Sequence, residues 1–168
     1  GPFFSSTRRT GADIASACGA SAAAPDVAFR FTLADAADVM LRVAGAASEE
    51  FTVALQSTCG DATADLRCGR GTAFDVRGRG LGAGTYWVIV SSTTLTGADF
   101  SLELAVAPPV PLPVGDLCDS LRAVDGSAGG VFSGSTAAAE RDYATTCGSP
   151  GGRDVAVTFT LATPQEVD

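Results

Sequence analysis

Asp26-Val27-Ala28-Phe29-Arg30-Phe31-Thr32-Leu33 decides how this chain folds. Its odd positions are large and apolar, and most of its even positions are small, polar or charged. Successive side chains on a strand point to opposite faces of the sheet, so this segment reads as a strand with one buried face. The same two-residue period runs through Val39, Leu41 and Val43, and through Phe51, Val53 and Leu55. It returns in Phe100, Leu102, Leu104 and Val106, with Ser101 and Glu103 facing out. Residues 85–90 are apolar on both faces and read as a central strand; 63–68 and 72–77 are further candidates. Ala44-Gly45-Ala46, Gly69-Arg70-Gly71, Gly78-Arg79-Gly80 and Gly82-Ala83-Gly84 read as turns. Helical periodicity is weak: 34–39 suits one turn and 117–124 a short helix. Seven or eight short strands spaced by about ten residues predict an all-β antiparallel sandwich.

Outward from that strand, the chain repeats itself. Gly1-Pro2-Phe3-Phe4-Ser5-Ser6-Thr7 aligns with Gly130-Val131-Phe132-Ser133-Gly134-Ser135-Thr136, and the same offset puts Asp13 on Asp142 and Cys18-Gly19 on Cys147-Gly148. After a one-residue slip, residues 26–33 fall on Asp154-Val155-Ala156-Val157-Thr158-Phe159-Thr160-Leu161, and only Phe29 and Arg30 differ from their counterparts. Internal repeats of this kind mark modular architectures. Four of the eight prolines lie within Ala107-Pro108-Pro109-Val110-Pro111-Leu112-Pro113-Val114. Proline lacks the N–H that a sheet needs, so 107–114 reads as a stiff polyproline-II connector. The expected organisation is a sandwich unit over 1–106 lacking its first strand, the linker 107–114, and the opening part of a second unit over 115–168.

Composition excludes much chemistry. The 168 residues carry eleven basic and nineteen acidic side chains, for a net charge of −8, and the chain contains no His, Lys or Asn. There is thus no imidazole for a triad or a metal, no lysine for a Schiff base, and no N-glycosylation acceptor. The acidic balance disfavours nucleic acid, and no apolar run is long enough to span a bilayer. Gly1-Pro2-Phe3-Phe4 is no signal peptide, which suits a mature product or a piece of a longer chain.

The matching elements resemble the bacterial pre-peptidase C-terminal domain in its diverged tandem form. They are residues 26–33, Gly60-Asp61 after Cys59, Cys68, Leu81-Gly82-Ala83-Gly84-Thr85-Tyr86-Trp87-Val88-Ile89-Val90, and Ala98-Asp99-Phe100-Ser101-Leu102-Glu103-Leu104. In the second unit they run from Cys118 through Asp142-Tyr143 to Cys147. The resemblance implies a jelly-roll-like β-sandwich of about eight strands without catalytic residues, accessory to secreted or surface proteins. It also implies a spacer, adhesion or substrate-anchoring role. Where that family often has acidic residues near a possible calcium site, Gly69-Arg70-Gly71 stands here, so no metal is carried over.

The five cysteines form no Cys-x-x-Cys pair, and their Gly/Ser/Thr-rich settings favour disulfides and an extracellular or cell-surface location. Cys59 and Cys68 are spaced for a small clip between neighbouring strands, and Cys118 and Cys147 for a pair within the second unit. Cys18 is then left over. Its partner lies in a longer tandem protein, or on a neighbouring chain, or it is a free thiol. Gly78-Arg79-Gly80-Leu81-Gly82-Ala83 matches a loose dinucleotide fingerprint, but a strand follows where a helix is required. Asp13, Asp35, Asp38, Asp61 and Asp65 lack the alternating spacing of a calcium loop and read as turn carboxylates. Trp87 and Tyr86 read as sheet packing. No catalytic, cofactor or metal residue is expected. The expected role is a non-enzymatic stalk, fibre or surface-layer element whose partners are neighbouring copies of itself. The alternative is an accessory domain binding polysaccharide or protein for a secreted hydrolase or adhesin.

Overall fold

Alternating burial along Asp26–Leu33 is realised in the computed structural model, which describes residues 1–19, 21–46, 49–117, 121, 123–140 and 153–166. The chain divides into two units, Gly1–Val110 and Pro111–Asp168. The boundary falls inside the proline-rich segment.

The first unit holds β1 (Phe3–Ser6), β2 (Asp26–Leu33), β3 (Ala37–Gly45), β4 (Phe51–Gln56), β5 (Asp65–Gly71), β6 (Ala73–Leu81), β7 (Gly84–Ser92) and β8 (Asp99–Ala107), with one 3-10 turn at Ala62–Ala64. They form two four-stranded sheets: sheet A in the order β1-β8-β3-β6, sheet B in the order β2-β7-β4-β5. Every pairing in both sheets is antiparallel. Two Greek keys wound this way make an eight-stranded jelly roll.

The core lies between the sheets. Leu41 and Val43 from β3 meet Phe51, Val53 and Leu55 from β4 and Val88 and Val90 from β7, all essentially solvent-free. Each such side chain contributes about 1.5–3 kcal/mol through burial. Phe100 of β8 ties the layers together, its ring 5.3 Å from Phe51 and 6.1 Å, edge-on, from Phe29. On the outer face of sheet A, Arg42 bridges to Asp75 on β6 and to Glu103 on β8, its direct cross-strand neighbours.

Three local expectations are corrected. Residues 78–80 lie inside β6 and not in a turn: a Cβ on Gly78 would stand 2.7 Å from Leu55 Cδ2, so the glycine makes room for a core leucine. Gly69 and Arg70 likewise belong to β5. The one-turn helix expected over 34–39 is instead a bend feeding β3, which begins at Ala37.

In the second unit, β9 (Ala123–Asp125) pairs in parallel with β10 (Thr158–Thr160). Much of the 117–124 helix expectation, together with Cys118 and Cys147, lies outside the described residues. Residues 131–136 form no regular element, whereas β1, with the matching sequence, is a strand held by β8.

Candidate functional site

Every residue of β4 is buried, although only Phe51, Val53 and Leu55 face the core. The other three, Thr52, Ala54 and Gln56, lie on the outer face of sheet B, where the crossover from β1 to β2 covers them. Residues 7–25 form this crossover, and side chains stand in for a sheet ladder in holding it down. Gln56 Nε2 donates to Ala15 O at 2.9 Å and to Asp65 Oδ1 at 2.6 Å, while Gly60 N donates to Gln56 Oε1 at 2.9 Å. Asp65 Oδ2 accepts from Ser16 Oγ at 2.9 Å and from Ala17 N at 2.6 Å. At the other end of the loop, Asp26 Oδ2 accepts from Asp13 N and Ile14 N at 3.1 and 3.2 Å. Burial raises the Asp26 carboxyl above its ordinary value, against the pull of those two donors.

A disulfide completes the clasp. It joins Cys18 to Cys68, with Cα atoms 5.3 Å apart, and Cys59 is an exposed free thiol. The expected Cys59–Cys68 clip and the leftover Cys18 are therefore both corrected. The physical reason is a register shift in the β4–β5 pairing: Gln56 faces Asp65 while Ala54 faces Cys68. The extra residue on β5 puts Asp65 and Cys68 on the same outer face, beneath the crossover loop. Cys59 has already left β4 into the turn before Ala62–Ala64.

Among the described residues one group of potential metal-ligand atoms converges, Cys18, Asp65 and Cys68. Two of the three are disulfide sulfurs, and Asp65 is filled by its donors, so the cluster acts as a fastener. Asp61 accepts from Thr63 N and Oγ1 and caps the 3-10 turn. Asp38 is occupied too. Burial opposes its ionisation, but N–H donation from Gly80 and Val110 and the Arg79 guanidinium at 2.9 Å outweigh it and hold the carboxyl below its usual range. Through Val110, Asp38 pins the start of the proline-rich segment to sheet A. Tyr86 stacks on Phe31 with centroids 5.7 Å apart and donates its hydroxyl to Gly82 O.

The two sheets meet along one flank at β5 and β6. The β1–β8 register runs from Ser6 opposite Asp99 to Phe3 opposite Leu102, and on its other side β8 pairs with β3 from Phe100 to Ala107. Phe3 and Val106 remain 60% and 52% exposed there, although both lie on the core-facing side of their strands. The β1–β8 pairing was not legible in the sequence, because no alternation marks Phe3–Ser6 as a strand.

No protein-family model matches the chain, and no curated protein matches it. Among the described residues no helix is long and apolar enough to cross a membrane.

Proposed function

We propose that this chain is a non-catalytic, extracellular structural module, a β-sandwich repeat that builds a stalk, fibre or surface layer with neighbouring copies of itself. The observation that carries the reading is the clasp over sheet B, in which the Cys18–Cys68 disulfide and the Gln56–Asp65 bond fix a rigid two-sheet body. The clasped crossover and the pinned Val110 add rigidity, which a spacer needs and a catalyst gains little from. The resemblance to the pre-peptidase C-terminal family points the same way, toward an accessory module of secreted proteins. A disulfide suits an oxidising compartment. Sedimentation velocity of the thiol-alkylated chain over a broad dilution series tests this reading: mass that grows with concentration supports it, and a single monomeric species throughout refutes it.

One observation favours accessory binding as a second reading. A groove of about 660 Å³ runs over the outer face of sheet A between Phe4, Ala44 and Ser101, with Phe4 82% exposed at its rim. Retention on an insoluble polysaccharide that is lost in Phe4→Ser would shift the balance toward it.

A further inference from the structure

Under the crossover loop the sulfurs of Cys18 and Cys68 and a carboxylate oxygen of Asp65 lie within 4.8 Å of one another. Oxidised, the three act as a fastener. Reduced, they become the donor set of a metal centre. Two electrons from a dithiol break the Cys18–Cys68 bond; the dithiol closes to a disulfide, and its two protons pass to the cysteine sulfurs. Two thiols then stand beside a carboxylate.

The framework that holds these groups together does not rest on the disulfide alone. Asp65 and Cys68 share one face of β5, and Cys18 arrives on a loop with anchors of its own. Ser16 Oγ and Ala17 N donate to Asp65 Oδ2, Cys18 N donates to Ser16 Oγ at 3.0 Å, and Gln56 Nε2 donates to Ala15 O. Cys18 Sγ lies 3.4 Å from Asp65 Oδ2. A tetrahedral zinc ion with a sulfur at about 2.3 Å and an oxygen at about 2.0 Å sets that pair about 3.5 Å apart. The same geometry places two sulfurs about 3.7 Å apart, within reach of side-chain rotation. The two backbones that carry them are 5.3 Å apart at Cα.

Asp65 has room for an ion. Gln56, Ser16 and Ala17 supply three donors to a group with about four acceptor positions, and such bonds orient a carboxylate ligand. Cys68 is exposed, which gives an ion a path in and leaves a fourth position to water. The donor set selects the ion. Thiolates are soft ligands that calcium and magnesium do not take, and two of them with one carboxylate suit Zn2+.

We propose that the reduced chain binds one Zn2+ through Cys18, Cys68 and Asp65, so that metal closes the clasp over sheet B where the disulfide is absent. Binding releases the two thiol protons to solvent. The inference stands apart from the assembly reading above.

The test uses the full chain with Cys59→Ser, Cys118→Ser and Cys147→Ser, which leaves the clasp thiols as its only cysteines. The chain is reduced with dithiothreitol, desalted without oxygen and titrated with Co2+. Sulfur-to-cobalt charge transfer and the visible bands of a tetrahedral ion should saturate at one Co2+ per chain and vanish as Zn2+ is added. The oxidised chain should give neither. Asp65→Asn and Cys18→Ser should each weaken binding at least about tenfold. Zn2+ should also raise the melting temperature of the reduced parent chain and leave that of the oxidised chain unchanged, a readout that needs no substitution in the site. A reduced chain without tetrahedral bands, affinity unchanged by Asp65→Asn, or a melting temperature indifferent to Zn2+ would each overturn the proposal.

Discussion

Gln56 and Asp65 face each other across the β4–β5 pairing, and the amide of one donates to the carboxylate of the other at 2.6 Å. The pair lies under the β1–β2 crossover and sets how that loop seats. Replacing Gln56 by Ala strands Ala15 O and Gly60 N and leaves a cavity, because the side chain is fully buried. Destabilisation of about 3 kcal/mol is expected, read as a lower urea midpoint at unchanged slope.

The disulfide and the free thiol should part company on mutation. Cys18 and Cys68 are 50 residues apart, and closing a loop of that length stabilises by about 4 kcal/mol in the chain-entropy treatment. Cys68→Ser should lose most of that stability. Cys59→Ser should change it by no more than about 0.5 kcal/mol, as exposed sites do. Alkylation of the native chain followed by peptide mass mapping should label Cys59 and spare Cys18 and Cys68.

Asp26 and Asp38 should shift acid stability in opposite directions. Asp38 has its carboxyl lowered on folding, so the stability it contributes is present above its unfolded value near 3.8 and is lost as pH falls through the folded one. Asp26 is raised, so its contribution is complete below that unfolded value and is lost as pH rises through the folded one. Asp38→Asn should therefore flatten the acid limb of the stability curve and cost about 2 kcal/mol at neutral pH through weakened bonds to Arg79, Gly80 and Val110. Asp26→Asn retains an oxygen for Asp13 N and Ile14 N and should be neutral or stabilising at pH 7. Thermal melts from pH 3 to about 7 check both signs.

Alternation made the sandwich legible because β2, β3 and β8 have one face in the core and the other in water, as their burial shows. The same rule misled at β4, whose outer-face residues are buried by a loop that has no period. It missed β1, whose two adjacent phenylalanines conceal which side faces inward. Glycine triplets at 69–71 and 78–80 looked like turns, yet Gly69 and Gly78 admit neighbouring side chains within strands. Cysteine spacing suggested the nearest pair, whereas a one-residue register shift, invisible in sequence, chose Cys18 for Cys68.

Gly97 is a position where no side chain fits. Its φ is +68°, and a Cβ there would stand 2.5 Å from Thr7 O, on backbone that is itself fixed by Thr7 N and Oγ1 against Ala98. Gly97→Ala should cost about 3 kcal/mol and loosen β1 from β8 before the rest of the sandwich. Faster exchange at Ser5 and Thr7 alone would report that local opening.

Hydrogen exchange on the full chain at low and high concentration, with thiols alkylated, tests the central claim most directly. Association of neighbouring copies predicts that protection rises with concentration over a contiguous patch of the sandwich surface and stays constant in the central strands β3, β4 and β7. Identical exchange at every concentration would contradict it.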